Sequence, residues 1–257
     1  MFDRLTHKMT ARSAALLLTI DNRLDRILQG WLLVAGLGSA ARIALSSHSA
    51  GAPALSTFTS YILLVVAPFA STLLALRWFR NGDRQPQPEI RLARAGSWRS
   101  VTRLEAQRHP LYGTSGIMVS LLVGMMLNVP VRAAEYLAAM PPIPNGAPAW
   151  LQSLHFAMTF DAVLFGSLYM IAFVAALRRV PLFPRLLVAI WMGDLTMQLA
   201  TAELVTRSGD LPPAVATALH GLLEGNVKKT LISIGLWLPY LLLSRRVNVT
   251  YRNRVSA

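Results

Sequence analysis

Residues 149–177 read AWLQSLHFAMTFDAVLFGSLYMIAFVAAL, with Asp161 the single charged side chain in the run. A hydrocarbon core of ~30 Å takes about 20 mostly apolar residues in a helix rising 1.5 Å each. This run is longer than that. It is continuously apolar, without the alternation of a barrel strand, so it reads as a membrane-spanning helix. Working outward, five more stretches have similar character: Leu28 to Ser46, Phe58 to Phe79, Tyr112 to Ala138, Pro184 to Thr206, and Val227 to Ser244. The last is short and lengthens if its helix begins near Pro212-Pro213, since proline fits a first helical turn. Turn-rich breaks separate the spans, at Ser49-Ala50-Gly51-Ala52-Pro53, Pro141 to Gly146, and Ser208-Gly209-Asp210. The expected fold class is all-α, a polytopic transmembrane helical bundle of about six spans.

Composition agrees with that reading. Of 257 residues, 54% are apolar and 14% charged, against about 25% charged in soluble domains. The chain has no cysteine, which excludes disulfides, thiolate metal sites and a cysteine nucleophile. Lys and Arg number 25 against 12 acids, a formal +13. That excess raises nucleic acid as a partner until the positions are read. Residues 1–27 hold five basic residues, the stretch from Arg77 to Arg108 holds eight, the turn at 178–185 three, and Arg245, Arg246, Arg252 and Arg254 four. Under the six-span reading all of these fall on one side. This is a positive-inside signal, and both termini are expected in the cytoplasm of a bacterial inner membrane. The charge is then a topology signal with some attraction to an anionic inner leaflet, so the expected partners are the lipid bilayer and a membrane protein complex, with no nucleic acid.

The expected organisation is a cytoplasmic or interfacial N-terminal helix at 1–27, a two-span hairpin at 28–79, a basic cytoplasmic loop at 80–111, a four-span bundle at 112–244, and a basic cytoplasmic tail at 245–257. Leu17, Ile20, Leu24 and Ile27 lie at helical spacing among charges and read as an interfacial stripe. In the 80–110 loop, Trp98, Val101 and Leu104 fit either a second amphipathic helix or a solvated basic loop. A cleaved leader is not expected, because the charged segment before the first apolar run is too long.

Ionisable residues within spans are costly and are usually paired or functional. Counting from the inner helix ends puts Asp161 and Lys228 roughly 24 Å up and Arg42 roughly 21 Å up. Glu203 and Glu135 come out higher, and Asp194 falls near mid-membrane, one turn from Gln198. The expected polar cluster is Arg42, Lys228 and Lys229 offset by Asp161, Glu203 and Asp194. Two readings stand: charges that pair to hold the bundle together, or a path for substrate or protons. Gly36-x-x-x-Ala40 reads as a close helix contact. His220-x-x-x-Glu224 shares a helix face but has no third ligand for a metal, and His155 is expected near the outer surface. No catalytic site and no cofactor are implied.

The stretch 236–251, LWLPYLLLSRRVNVTY, resembles the closing signature of a bacterial inner-membrane family, domain of unknown function 2569, whose members end in W-I-P-Y-x-x-x-S-K-R-V-x-x-T-F. Trp237, Pro239, Tyr240, Ser244, Arg245, Arg246, Val247 and Thr250 carry the likeness, with Tyr251 in place of the usual Phe. Gly30-Trp31-Leu32 is similar to the family's opening G-G-W-L, Phe183-Pro184-Arg185 to the F-P step before its third span, and Lys228 or Lys229 to a basic residue early in its last span. Typical members have four spans, so this chain carries two more, either inserted after the first span or added before the domain. The resemblance covers about 30–46 and 149–251. It implies a helical inner-membrane bundle with a cytoplasmic tail and supplies no activity.

The terminal run also makes sense as a stop-transfer end, or as a docking tail for a partner. Three functions are carried forward: an accessory, assembly or scaffold subunit; a small transporter or channel using the intramembrane charges; and a lipid-active membrane enzyme, for which His155, Glu135 and Glu203 would have to converge.

Overall fold

The computed structural model describes residues 2–47, 55–89, 96–207 and 211–257. The breaks expected at Ser49 to Pro53 and at Ser208 to Asp210, and the basic positions Arg91 and Arg94, lie outside the described residues. In chain order the elements are α1 (Phe2–Asn22), α2 (Leu24–Ser47), α3 (Leu55–Trp78), β1 (Trp98–Ser100), α4 (Arg103–Arg108), α5 (Ile117–Ala139), α6 (Ala149–Leu177), α7 (Phe183–Arg207), α8 (Pro213–Leu243), α9 (Arg245–Arg252) and β2 (Arg254–Ser256). All six expected spans are long helices. Four of them, α2, α3, α5 and α6, are long and apolar enough to cross a membrane, and a fifth counts if α8 and α9, bent by 70°, form one span. The helix α7 carries Arg185, Asp194, Glu203 and Arg207 and falls short on apolarity.

At the centre stands α6, packed against α3, α5 and α7. Seventeen of its 29 residues are buried, as expected of a helix that is apolar all round. Around its second half the core gathers Met118, Leu122, Phe173, Phe183, Leu187 and Leu241. Around its first half a smaller cluster gathers Tyr61, Tyr136, Met140, Leu154 and Val205. The helices α1 and α2 meet across the single residue Arg23. Of the expected N-terminal stripe, Leu17, Ile20 and Leu24 are buried and Ile27 packs partly buried against the same core, so this stripe faces the protein.

Two sequence expectations are corrected here, the helix at 98–104 and the close contact at Gly36 and Ala40. Trp98 and Val101 do not join Leu104 in a helix: β1 pairs antiparallel with β2, Trp98 opposite Ser256 and Ser100 opposite Arg254. Only the short α4 follows, capped by Thr102 and Glu105, each of whose side chains accepts from the other's backbone N–H. The C-terminal stretch docks on the bundle. Ser244 caps α9, which folds back so that Val247, Thr250, Tyr251 and Arg252 are buried. The Tyr251 hydroxyl donates to the Ala176 carbonyl at 2.9 Å, and Arg252 donates to the Leu241 carbonyl at 2.9 Å. Burial pushes the Tyr251 hydroxyl well above its ordinary pKa. Finally, Gly36 has open space around it and Ala40 is exposed; the close helix approach is at Gly38, where an added Cβ would lie 3.3 Å from Leu137.

These contacts collect the basic segments at one end of the bundle. Arg178 bonds Asp21 of α1, and Arg246 donates to the carbonyls of Leu111 and Gly113. Gly82 sits so close to the end of α6 that a Cβ there would meet Val180 at 2.6 Å and the Arg178 carbonyl at 2.7 Å. At the other end, Thr57 and Tyr61 bond the carbonyls of Ile143 and Met140.

Candidate functional site

Two helix faces with i, i+4 polar pairs, Asp194 with Gln198 on α7 and Asn226 with Thr230 on α8, converge on Arg132 of α5 and Asp161 of α6. Residues four apart share a helix face, so each helix brings two groups to the same point. The Arg132 guanidinium donates through Nη1 to Asp161 Oδ2 at 2.5 Å and through Nη2 to Asp194 Oδ2 at 2.8 Å. Gln198 Nε2 bridges the other carboxylate oxygens, at 3.1 Å from Asp161 and 3.2 Å from Asp194. Asn226 reaches the Gln198 carbonyl oxygen at 3.4 Å, and the Thr230 and Tyr169 hydroxyls stand 3.5 Å from Asp194 Oδ2. The guanidinium lies over the Phe165 ring, 5.2 Å from its centroid. Side-chain exposure is 13% for Arg132, 8% for Asp161 and 1% for Asp194.

One guanidinium thus clamps two carboxylates from two further helices, with α8 attached through Thr230 and Asn226. Charge-assisted bonds are about twice as strong as neutral ones. Removing one partner of a buried set costs about 3–5 kcal/mol, because the remaining charge is left uncompensated. The formal balance is two negatives against one positive, and the dipoles of Gln198, Thr230 and Tyr169 face the excess. The adjoining cavity, lined by Asn128, Glu135, Tyr169 and Lys229 among others, has a volume of about 60 Å³. A water needs roughly 10–15 Å³ by this measure, so the space suits a few waters and no larger solute.

Of the six residues expected to cluster, the structure brings together Asp161 and Asp194. Lys229 pairs with Glu135 at the rim of the small cavity. Lys228 pairs with Glu224 one turn away at 2.6 Å, and Glu203 with Arg207 at 2.6 Å; both pairs are exposed. Arg42 lies at the far end, where its Nε donates to the Met140 carbonyl at 3.5 Å. The residue missing from the expected cluster is Arg132, the cation that joins the two acids. The depth count used for Asp161, applied from Ile117, puts Arg132 roughly 22 Å along its helix and so nearly level with Asp161.

His155 is buried within the bundle, its Nε2 3.3 Å from the Tyr136 hydroxyl, which in turn lies 2.8 Å from Thr159. With Glu135 on Lys229 and Glu203 on Arg207, the three groups an interfacial enzyme would need go to three different partners. His220 is exposed and Glu224 turns to Lys228. Among the described residues, no three His, Asp or Glu side chains gather as a metal site would require.

Fold and site together define a polytopic helical membrane protein whose last four long helices meet at a buried Arg–Asp–Asp node. No family model, no characterised protein and no solved structure matches the chain.

Proposed function

We propose that this chain is an accessory, assembly or scaffold subunit of a membrane complex in the bacterial inner membrane, spanning the bilayer six times with both termini in the cytoplasm. The observation that carries the reading is the closure of the intramembrane charges: Arg132, Asp161 and Asp194 bond one another, and the space beside them is about 60 Å³. A conducting path needs polar groups facing a continuous cavity, whereas a structural node needs them facing each other. The gathering of the described parts of 1–27, 77–108, 178–185 and 245–257 at one end of the bundle supports the orientation, since these stretches of sequence hold twenty of the 25 basic residues. The likeness of 236–251 to the closing signature of domain of unknown function 2569 belongs to the same proposal.

Blue-native electrophoresis after extraction in mild detergent tests the assignment. The expected result is migration in a heavier assembly; a free monomer alone, under conditions that keep other complexes intact, would overturn it. A reporter fused within 80–110 is expected to read cytoplasmic. A second reading, a small ion-coupled transporter, draws support from the node's excess negative charge. Proteoliposomes that carry no flux of protons, common ions or small anions would remove it.

A further inference from the structure

A second cavity, of about 480 Å³, opens at the basic end of the bundle between α1, the turn after α3, the chain entering α5, and the end of α6. That volume lies within the range of about 300–1,000 Å³ usual for ligand pockets. Three guanidiniums line it: Arg80, Arg178 and Arg179. Two carboxylates also line it, and both are engaged, Asp21 with Arg178 at 3.3 Å and Asp83 with the Gln107 amide at 3.1 Å. Arg80 and Arg179 meet no carboxylate among the described residues. The backbone holds Arg179 in place: it adopts φ 57° at the end of α6, where the Val180 N–H returns to the Ala175 carbonyl. Its guanidinium lies over the Tyr112 ring, 5.4 Å from the centroid. The tight approach of Gly82 to Val180 and Arg178 brings the Arg80 turn against the same wall. Thr114 and Ser115 add hydroxyls, and Leu17, Leu18 and Leu177 form an apolar side.

We infer that this cavity binds a phosphate group, carried by a phospholipid headgroup or by free phosphate. Guanidinium forks match phosphate oxygens. Three of them with two hydroxyls offer more donors than a carboxylate accepts. Basic pockets between membrane helices are a known form of lipid headgroup site, and Leu17, Leu18 and Leu177 offer apolar surface to an acyl chain. The inference is independent of the accessory-subunit proposal.

The test uses the full chain in neutral detergent, titrated with dihexanoyl phosphatidic acid, with dihexanoylglycerol as the same lipid lacking phosphate, and with inorganic phosphate, read by calorimetry and native mass spectrometry. Phosphatidic acid is expected to bind and dihexanoylglycerol not. R80Q/R179Q is expected to weaken binding by about tenfold or more, while R77Q/R84Q, which removes the same charge from exposed positions outside the cavity, changes it less than about twofold. T114V/S115A, which keeps every charge, is expected to weaken binding several-fold and covers the case in which the arginine variant fails to fold. Phosphatidic acid binding alone names a lipid headgroup; equal binding of inorganic phosphate names the free ion. No binding of either, binding of dihexanoylglycerol as tight as phosphatidic acid, or equal losses in the two arginine pairs would overturn the site.

Discussion

The helices α6 and α8 are both long and largely apolar, yet protein surrounds one and lies against a single side of the other. Seventeen of 29 residues are buried in α6, whereas in α8 the buried ones are Leu223, Thr230 and Leu241. Hydropathy says that a segment leaves water; it does not say which apolar surroundings it enters. The difference lies in what stands beside the small residues: a Cβ added at Gly166 of α6 would lie 3.4 Å from Pro68, whereas Gly221, Gly225 and Gly235 of α8 have open space around them. The buried run Ala172–Phe173–Val174–Ala175–Ala176 and the nearby Gly166 let neighbouring helices come close to α6. Along α8, Leu231, Ile232, Leu236 and Leu243 point away from the bundle, and its intramembrane polar contacts run through Asn226, Lys229 and Thr230.

The comparison breaks most sharply at the node, where α6 and α8 are tied to the same arginine clamp. Arg132→Ala is expected to cost about 3–5 kcal/mol, read as a large fall in melting temperature in detergent or nanodiscs. Asp194→Asn keeps the shape and one acceptor and is expected to lose less. An Arg132→Ala protein as stable as the parent would mean that the node holds nothing together. Next, Phe173→Ala in α6 is expected to cost about 3 kcal/mol by leaving a cavity, while Ile232→Ala in α8, 70% exposed, changes stability by less than about 0.5 kcal/mol. Equal effects would erase the distinction between the two helices. Tyr251→Phe removes the bond to the Ala176 carbonyl and is expected to cost about 1 kcal/mol, measured by the same melts. At the small end, Lys228→Gln removes an exposed i, i+4 pair on α8, expected to matter by less than about 0.5 kcal/mol.

A pH effect of modest size belongs to α4. The Thr102 backbone N–H and hydroxyl, both bonded to Glu105, hold that exposed carboxyl below its ordinary value of 4.5. A depressed acid stabilises the fold above its ordinary pKa and ceases to do so as pH falls through the lowered value. Amide exchange in 103–108 is therefore expected to quicken on acidification, and Glu105→Gln to flatten that response.

The long helices were legible because burial in lipid leaves an unbroken apolar run such as 149–177. Half of the node was legible as well: Asp161 and Asp194 drew notice as charges at depth. Their partner did not, because Arg132 follows Pro130 near the outer end of its span, while Lys228 and Lys229 offer cations at the depth of the acids. The lysines pair where they are exposed, Lys228 with its own helix, since long flexible side chains reach the nearest acid. The β1–β2 ribbon carried no signal, because three-residue strands show no period and the partners are far apart in sequence. The docking of α9 left a trace: Val247, Thr250 and Tyr251 fall at i, i+3 and i+4, an apolar face that a free tail would not need.

The clamp also sets a timetable for biogenesis. Arg132 emerges from the ribosome first, and its acids follow 29 and 62 residues later. An arginine at a helix centre costs about 2.5–3.5 kcal/mol on the translocon scale. The third of the expected spans therefore has reason to linger beside the insertion channel until the next two arrive, so that the arginine enters lipid already paired with its acids and not alone.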